Sequence, residues 1–293
     1  MSTNSYLTDS ILINELQLII SNGLREDIGD GDHSSIACIS ESSIGTAKLL
    51  VKDNGVIAGV NFAIQIFKTV DAALTIEVKI NDGELVKYGD IVFYVSGAAR
   101  SILKAERLVL NSMQRMSAIA TKTNQFVKLL EGTSTKLLDT RKTTPGFRAC
   151  EKWAVAIGGG HNHRFGLYDM IMLKDNHNDF AGGITAAIEK TKAYLIENKK
   201  DLKIIVEARN LDEIKEILAA QGVYRILIDN FNFVDTKKAV ELIGDKCLTE
   251  SSGNINENTI LEYAKCGVNY ISSGALTHSI YNMDLSLKAD FKY

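Results

Sequence analysis

Apolar residues in the second half of the chain fall into two alternating patterns. Short runs dense in Leu, Ile and Val recur at 136–139, 169–174, 203–207, 225–229, 247–250 and 269–273. Between them lie longer stretches, 148–157, 184–197, 211–220, 234–243 and 258–265, whose apolar positions repeat at helical spacing. Strand-like runs that alternate with helices predict right-handed βα units on a parallel sheet. Six countable strands fall short of the eight of a complete barrel. The expected fold is therefore α/β, an incomplete parallel barrel of six to seven strands, with an open sheet as the runner-up.

The first half reads differently. Residues 11–20 carry an amphipathic pattern that Thr8, Asp9 or Ser10 can open as a helix, and the Gly/Asp-rich stretch 25–34 predicts a loop. Residues 46–95 look β-rich, with runs at 47–51, 55–60, 74–80 and 91–95 separated by turns such as Asn81-Asp82-Gly83. A long helix is expected over 99–130, where Ile102, Leu110, Met113, Ile119, Phe126 and Leu130 recur at helical spacing before Gly132 stops it. Arg107 and Arg115, eight residues apart, share roughly one face of it. Helix and strands together predict a small α+β domain ahead of the barrel.

Composition narrows the partners. A formal net charge of −3 over 293 residues argues against a nucleic-acid surface, where basic charge dominates. The apolar segment 11–20 is too short to span a bilayer and has no basic residue before it, so no membrane anchor or signal peptide is expected. Cys38, Cys150, Cys247 and Cys266 are scattered without a C-x-x-C pair, which predicts reduced buried thiols in a cytoplasmic protein. Against this mildly acidic background, residues 137–177 are locally basic: Arg141, Lys142, Arg148, Lys152, Arg164 and Lys174 outnumber Asp139, Glu151, Asp169 and Asp175. Such a local excess predicts a site for small anions.

The candidate chemistry sits where the strands end. In order the runs deliver Arg141 and Lys142, then Lys174-Asp175-Asn176, Glu207, Asp229-Asn230, Glu250-Ser251-Ser252-Gly253 and Ser272-Ser273-Gly274. In a parallel barrel these converge on one mouth. Ser252-Gly253 and Ser273-Gly274 can offer N–H and hydroxyl groups to a phosphate, or can be tight turns that close each βα unit. Glu207 and Asp229 can hold Mg²⁺, bind sugar hydroxyls and stabilise a cationic centre, or pair with Lys142 or Lys174 as a buried network. His161-x-His163 lacks a third ligand at fitting spacing, so an imidazole that donates to an anion is favoured over a metal site.

Several of these stretches carry a family likeness. Asp139-Thr140-Arg141-Lys142-Thr143-Thr144-Pro145-Gly146, Gly158-Gly159-Gly160, Asn162-His163-Arg164 and Lys174-Asp175-Asn176-His177 resemble the quinolinate phosphoribosyltransferases. So do Ala105-Glu106-Arg107-Leu108-Val109-Leu110-Asn111, Leu227-Ile228-Asp229-Asn230 and Ser273-Gly274-Ala275-Leu276-Thr277. The resemblance runs from 25–27 to 285–288. It implies an N-terminal α+β sandwich over 1–115 and a barrel over 116–277, with 278–293 packing back on the first domain. It also implies a homodimer or a hexamer, and transfer of phosphoribose from phosphoribosyl pyrophosphate to quinolinate. The products are nicotinate mononucleotide, pyrophosphate and carbon dioxide, made with Mg²⁺ in NAD biosynthesis.

By the same resemblance Arg141, His163, Arg164 and Lys174 hold quinolinate, and Arg107 arrives from the other subunit. Lys142, Glu207 and Asp229 serve the donor and its metal as catalytic groups, and Ser252, Gly253, Ser273 and Gly274 bind phosphate. The physics agrees, since a pyridine with two carboxylates calls for several Arg and Lys donors. Three positions depart from the family pattern: Ile205 where a glutamate is common, Asn254 for a glycine, and His161 for an apolar residue. Rival readings are a related transferase that accepts nicotinate, a molybdenum-operon paralogue, a Schiff-base barrel lyase using Lys142 or Lys174, and a non-catalytic anion binder.

Overall fold

In the computed structural model, which describes residues 5–290, the chain opens with α1 (Ser5–Thr8) and α2 (Ser10–Ile28). Asp9 caps α2: its carboxylate accepts from the N–H groups of Ile11 and Leu12. Leu12, Leu16 and Ile20, four residues apart, form the buried stripe. The helix continues to Ile28 and ends at Gly29, φ 53°. Residues 25–28, expected as loop, are thus the last turn of α2. Asp32 then caps α3 (His33–Cys38) by accepting from Ser35 N–H.

The chain continues through β1 (Ile44–Val51), β2 (Gly55–Val56), α4 (Val60–Val70), β3 (Thr75–Val78), β4 (Leu85–Val86), β5 (Ile91–Ala98) and α5 (Ala99–Leu129). It goes on through β6 (Lys136–Leu138), α6 (Arg148–Ile157), β7 (Ile171–Leu173), α7 (Asp175–Ala181), α8 (Ile184–Glu197), β8 (Ile204–Ala208) and α9 (Leu211–Ala220). The last elements are β9 (Arg225–Asp229), α10 (Phe233–Ile243), β10 (Leu248–Ser252), α11 (Ile260–Lys265), β11 (Tyr270–Ser272), a 3₁₀ turn (Gly274–Leu276) and β12 (Leu285–Ala289).

Two compact units result. The first comprises residues up to 124, 143–159 and from 276 onward. Its four-stranded antiparallel sheet has the order β12-β1-β5-β3, with β2 and β4 paired beside it in a ribbon of their own. Ala47, Leu49 and Val51 alternate inward along β1, and Phe67 of α4 meets Phe93 of β5 edge to face at 5.9 Å. α4 lies within the stretch expected as strands. Its N-cap is Gly59, which has no side chain to offer. Its first N–H groups, Val60 and Asn61, donate instead to Asp82, 22 and 21 residues away. The sequence pattern counts α6 among the barrel helices, but its packing puts it here: Trp153 stacks on Tyr6 at 5.4 Å. α6 ends at Gly158, where a Cβ would stand 2.4 Å from the Ala120 carbonyl oxygen of α5. The boundary expected between 115 and 116 falls inside α5.

The second unit, residues 125–142 and 160–275, holds one parallel sheet of six strands in the order β6-β11-β10-β9-β8-β7. A seventh position is present as a single parallel bridge, His161 to Leu138, at the β6 edge. This is the incomplete α/β barrel. All five residues of β8 are buried, which is why these strands read as unbroken apolar runs and not as alternation. Among the described residues no helix is long and apolar enough to cross a membrane. Of the four thiols only Cys150 is fully buried; Cys38 is exposed and Cys247 and Cys266 are intermediate, which corrects the expectation of buried cysteines.

Candidate active site

The parallel register decides which side chains share the barrel mouth. Glu207 lies beside Leu227, and Ser252 beside Asp229. Side chains two apart on one strand share a face, so Glu207, Asp229 and Ser252 all face one way at the carboxyl ends of β8, β9 and β10. Ser252 Oγ donates to Asp229 Oδ1 at 2.6 Å, and Asn230 Nδ2 to Asp229 Oδ2 at 2.7 Å. Lys174, directly after β7, donates from Nζ to Glu207 Oε2 at 2.9 Å. Part of the ion-pair network considered for Glu207 therefore forms, with Lys174 as the partner.

Arg141 and Lys142 follow β6 and are both exposed. The Lys142 N–H donates to Thr140 Oγ1 at 3.0 Å, which turns the chain away from the strand. Arg164 is buried, and one of its guanidinium nitrogens donates to the Met170 carbonyl at 3.1 Å. Burial, and then the charge of Arg141, pull Arg164 below the ordinary guanidinium pKa.

Asp139 builds the bed for Arg164. It is fully buried, and it accepts from the His163 N–H at 2.7 Å and from Asn162 Nδ2 at 2.8 Å. Asp169 accepts from the Phe165 N–H at 2.6 Å and the Gly166 N–H at 2.8 Å. Residues 162–166 are thereby held at both ends by carboxylates that the sequence reading left without a role.

The phosphate candidates differ among themselves. Gly253 has φ +94°, and a Cβ there would stand 2.2 Å from Asn230 Oδ1, so only glycine fits. Asn254, where the family pattern departs, sits at φ 51°, a left-handed conformation that asparagine tolerates. Ser273 is engaged within the fold: its N–H donates to Leu138 O at 3.1 Å and its Oγ to Ile255 O at 3.1 Å. Gly274 opens the 3₁₀ turn after β11.

Glu250, expected at a strand end, lies inside β10, which runs on to Ser252. It is completely buried and pairs with Arg225 at 2.6 Å and with His163 at 3.3 Å. Arg225, at the start of β9, was not singled out by the sequence reading. Arg107 is exposed on α5 and belongs to the first unit. The other candidates, Arg141, Lys142, His163, Arg164, Lys174, Glu207, Asp229, Ser252, Gly253, Ser273 and Gly274, all belong to the second.

Among the described residues no three His, Cys, Asp or Glu side chains converge on a metal position. Two carboxylates on neighbouring strands, Glu207 and Asp229, nevertheless suit Mg²⁺, which takes one or two protein carboxylates and completes its shell from phosphates and water.

Comparison with known proteins gives the family. The family model for the quinolinate phosphoribosyl transferase C-terminal domain matches residues 119–288, and that for the N-terminal domain matches 32–117. The chain is 45% identical over 291 residues to a chloroplastic nicotinate-nucleotide pyrophosphorylase (carboxylating) of Oryza sativa, covering 94% of this chain and 78% of that one. It is 38% identical to a probable nicotinate-nucleotide pyrophosphorylase of Bacillus subtilis, covering 94% of each. A solved structure of the nicotinate-nucleotide pyrophosphorylase from Francisella tularensis superimposes with a TM-score of 0.87 at 39% identity, over 94% of this chain and 96% of the other.

Proposed function

The chain belongs to the quinolinate phosphoribosyltransferase family, and from that premise we propose how its barrel mouth carries out the reaction. It is a decarboxylating phosphoribosyltransferase of NAD biosynthesis, with quinolinate and phosphoribosyl pyrophosphate as its small-molecule substrates. The reading of the site rests most on one observation: Glu207, Asp229 and Ser252 share one face at the carboxyl ends of adjoining strands, with Lys174 bonded to Glu207 beside them. Arg141, Arg164 and Lys174 receive the two carboxylates of quinolinate, with His163 beneath them. In the proposed homodimer, or a hexamer of such dimers, Arg107 of one subunit completes the site of the other.

Lys142, Glu207 and Asp229 serve the donor. The quinolinate ring nitrogen bonds to the ribose carbon as the bond from that carbon to pyrophosphate breaks. Positive charge develops on the ribose in the process, and Glu207 and Asp229 stabilise it from the sheet side. Mg²⁺, when bound by these carboxylates, would supply neutralising charge to the departing pyrophosphate. The ring nitrogen is then cationic. It takes up the electron pair left as the neighbouring carboxylate departs as carbon dioxide, and a proton fills the vacated ring carbon. Ser252, Gly253 and Gly274 line the phosphate end, and the engaged donors of Ser273 fix the turn that carries Gly274. A cytoplasmic setting goes with this reading.

The test is product formation from purified protein. Quinolinate with phosphoribosyl pyrophosphate and Mg²⁺ should release nicotinate mononucleotide and carbon dioxide, and nicotinate in a parallel tube should not. Activity with nicotinate alone would overturn the assignment of Arg141, Arg164 and Lys174. Arg107→Ala and Lys142→Ala should each be inactive, whereas a mixed dimer holds one intact site of two, so a randomly re-associated equal mixture, half of it mixed dimers, should recover up to about a quarter of wild-type activity. No recovery in verified mixed dimers would refute donation across the interface.

A further inference from the structure

The barrel interior carries more charge than its mouth requires. Along β9 and β10 the register sets Arg225 beside Leu248 and Glu250 beside Leu227, on the face that also bears Asp229 and Ser252. Arg225 donates from Nη1 to Glu250 Oε2 at 2.6 Å, and its guanidinium lies 4.1 Å from the centre of the Tyr270 ring. The same carboxylate oxygen lies 3.3 Å from His163 Nε2. On the far side of that imidazole, Nδ1 accepts the main-chain N–H of Arg164 at 2.6 Å. The line runs from a strand start in the sheet, through two fully or nearly buried side chains, to the backbone of a candidate quinolinate ligand.

The contacts place the protons on this line. Nε2 faces the carboxylate at ion-pair distance, and a carboxylate only accepts, so the ring proton belongs on Nε2. An imidazole nitrogen that accepts an N–H carries no proton of its own, so Nδ1 is bare. Both contacts favour the tautomer with its proton on Nε2, which leaves no N–H for a substrate carboxylate. Protonation of Nδ1 would set two hydrogens against each other at the Arg164 amide.

We propose that Glu250, paired with Arg225, is a positioning residue for quinolinate recognition: it fixes the tautomer of His163, which in turn anchors the main chain of Arg164 beneath the substrate. His163 then works under the substrate and not upon it. The inference rests on the reading that Arg164 holds a quinolinate carboxylate. Burial alone would raise the Glu250 pKa, but His163, Arg225 and Ser272 more than offset it and hold the group down to about 2, so the acceptor stays ionised at any working pH. An ionised, fully buried carboxylate whose partners are a paired arginine, one imidazole and the Ser272 hydroxyl suits an orienting role.

Two full-length variants test this. Glu250→Gln keeps an oxygen where Oε2 stands. Arg225→Leu/Glu250→Leu removes both charges at similar volume, a replacement that folded proteins often tolerate. Folding of each is checked by a cooperative thermal transition. In the double variant the KM for quinolinate should rise about tenfold or more, while the KM for phosphoribosyl pyrophosphate stays within about twofold. In Glu250→Gln the quinolinate KM should stay within about threefold of wild type, a rescue by the retained acceptor.

Nitrogen-15 spectra of histidine-labelled protein give the second readout. With five histidines in the chain, His163→Asn assigns the signal. Wild type should carry its proton on Nε2, and the double variant should shift toward a mixture of tautomers. A folded double variant with unchanged quinolinate KM, or a wild-type His163 protonated on Nδ1, would overturn the proposal. If wild type fails to turn over quinolinate, the reading of the site fails, and the tautomer experiment still decides whether Glu250 governs His163.

Discussion

Among the described residues two glutamates are wholly buried beside arginines, one in each unit, and their partners differ in kind. Glu151 of α6 accepts from Arg115 Nε at 3.0 Å, from the Thr144 N–H at 3.1 Å and from Thr144 Oγ1 at 2.7 Å. Arg115 donates onward to the carbonyls of Thr277 at 2.5 Å and Ile280 at 3.4 Å. Main-chain groups dominate that set, so the pair decides where two segments of backbone run. Glu250 meets side chains, Arg225 and His163, so it decides how a side chain faces and which nitrogen holds a proton. Burial and charge are the same in both places. What a buried ion pair does is set by whether its remaining contacts are backbone or side chain.

The sharpest way to break this contrast is Glu151→Ala. It strands Arg115 and orphans the Thr144 N–H, so unfolding in urea should show a loss of about 3–5 kcal/mol. Molecules that stay folded should keep the wild-type KM for quinolinate. A stability loss below about 1 kcal/mol would deny Glu151 its structural role.

Acid tests the other glutamate. Its folded-state pKa of about 2 lies below the ordinary 4.5, so its contribution is full above that value and is lost as pH falls toward about 2. Wild type should lose about 3 kcal/mol over that window beyond the loss seen in Arg225→Leu/Glu250→Leu. Parallel pH–stability curves for the two proteins would remove Glu250 as an ionised partner.

Smaller effects separate recognition from support at the mouth. Arg164→Lys keeps the charge but loses the planar fork, and should lower kcat/KM for quinolinate about tenfold, roughly 1.4 kcal/mol, at nearly unchanged stability. An equal fall in thermal stability would mean that Arg164 mainly supports the Met170 carbonyl. Ser252→Ala removes the hydroxyl bonded to Asp229 and should raise the KM for phosphoribosyl pyrophosphate about fivefold, about 1 kcal/mol. No change there would place Ser252 outside the donor site.

The parts legible in the sequence are those whose cause is local. α9 and β9 match the periodic pattern to the residue because an amphipathic face and an apolar run identify themselves. The pattern ends α2 too early because Asp and Gly at 25–34 look like loop, although the stop is Gly29 alone. α4 was invisible because its cap, Asp82, arrives from a turn two elements later, and no window along the chain contains both. The site divides in the same way. Arg141 and Lys174 show themselves as charges that end apolar runs. Asp139 stood in plain sight in its motif, but its role depends on residues 162–163 returning to the edge of β6. Arg225 and Glu250 meet across neighbouring strands, a fact of register that one strand alone does not carry. The one available clue is Arg225 itself, a charged residue that opens the apolar run 226–228 at the end away from Asp229.

The pairing of β12 with β1 bears on how the protein is born. Ala47 faces Ala289 and Val51 faces Leu285 in that ladder. A ribosome adding about 5–20 residues per second needs on the order of tens of seconds to travel from one strand to the other. During that time the β1 edge has no neighbour on that side, while every strand of the parallel sheet has already emerged. Exposed edges of this kind invite pairing with other chains. The nascent first unit is therefore the part of this molecule for which a cell's holding chaperones matter most, and the barrel is the part that can be finished while the wait continues.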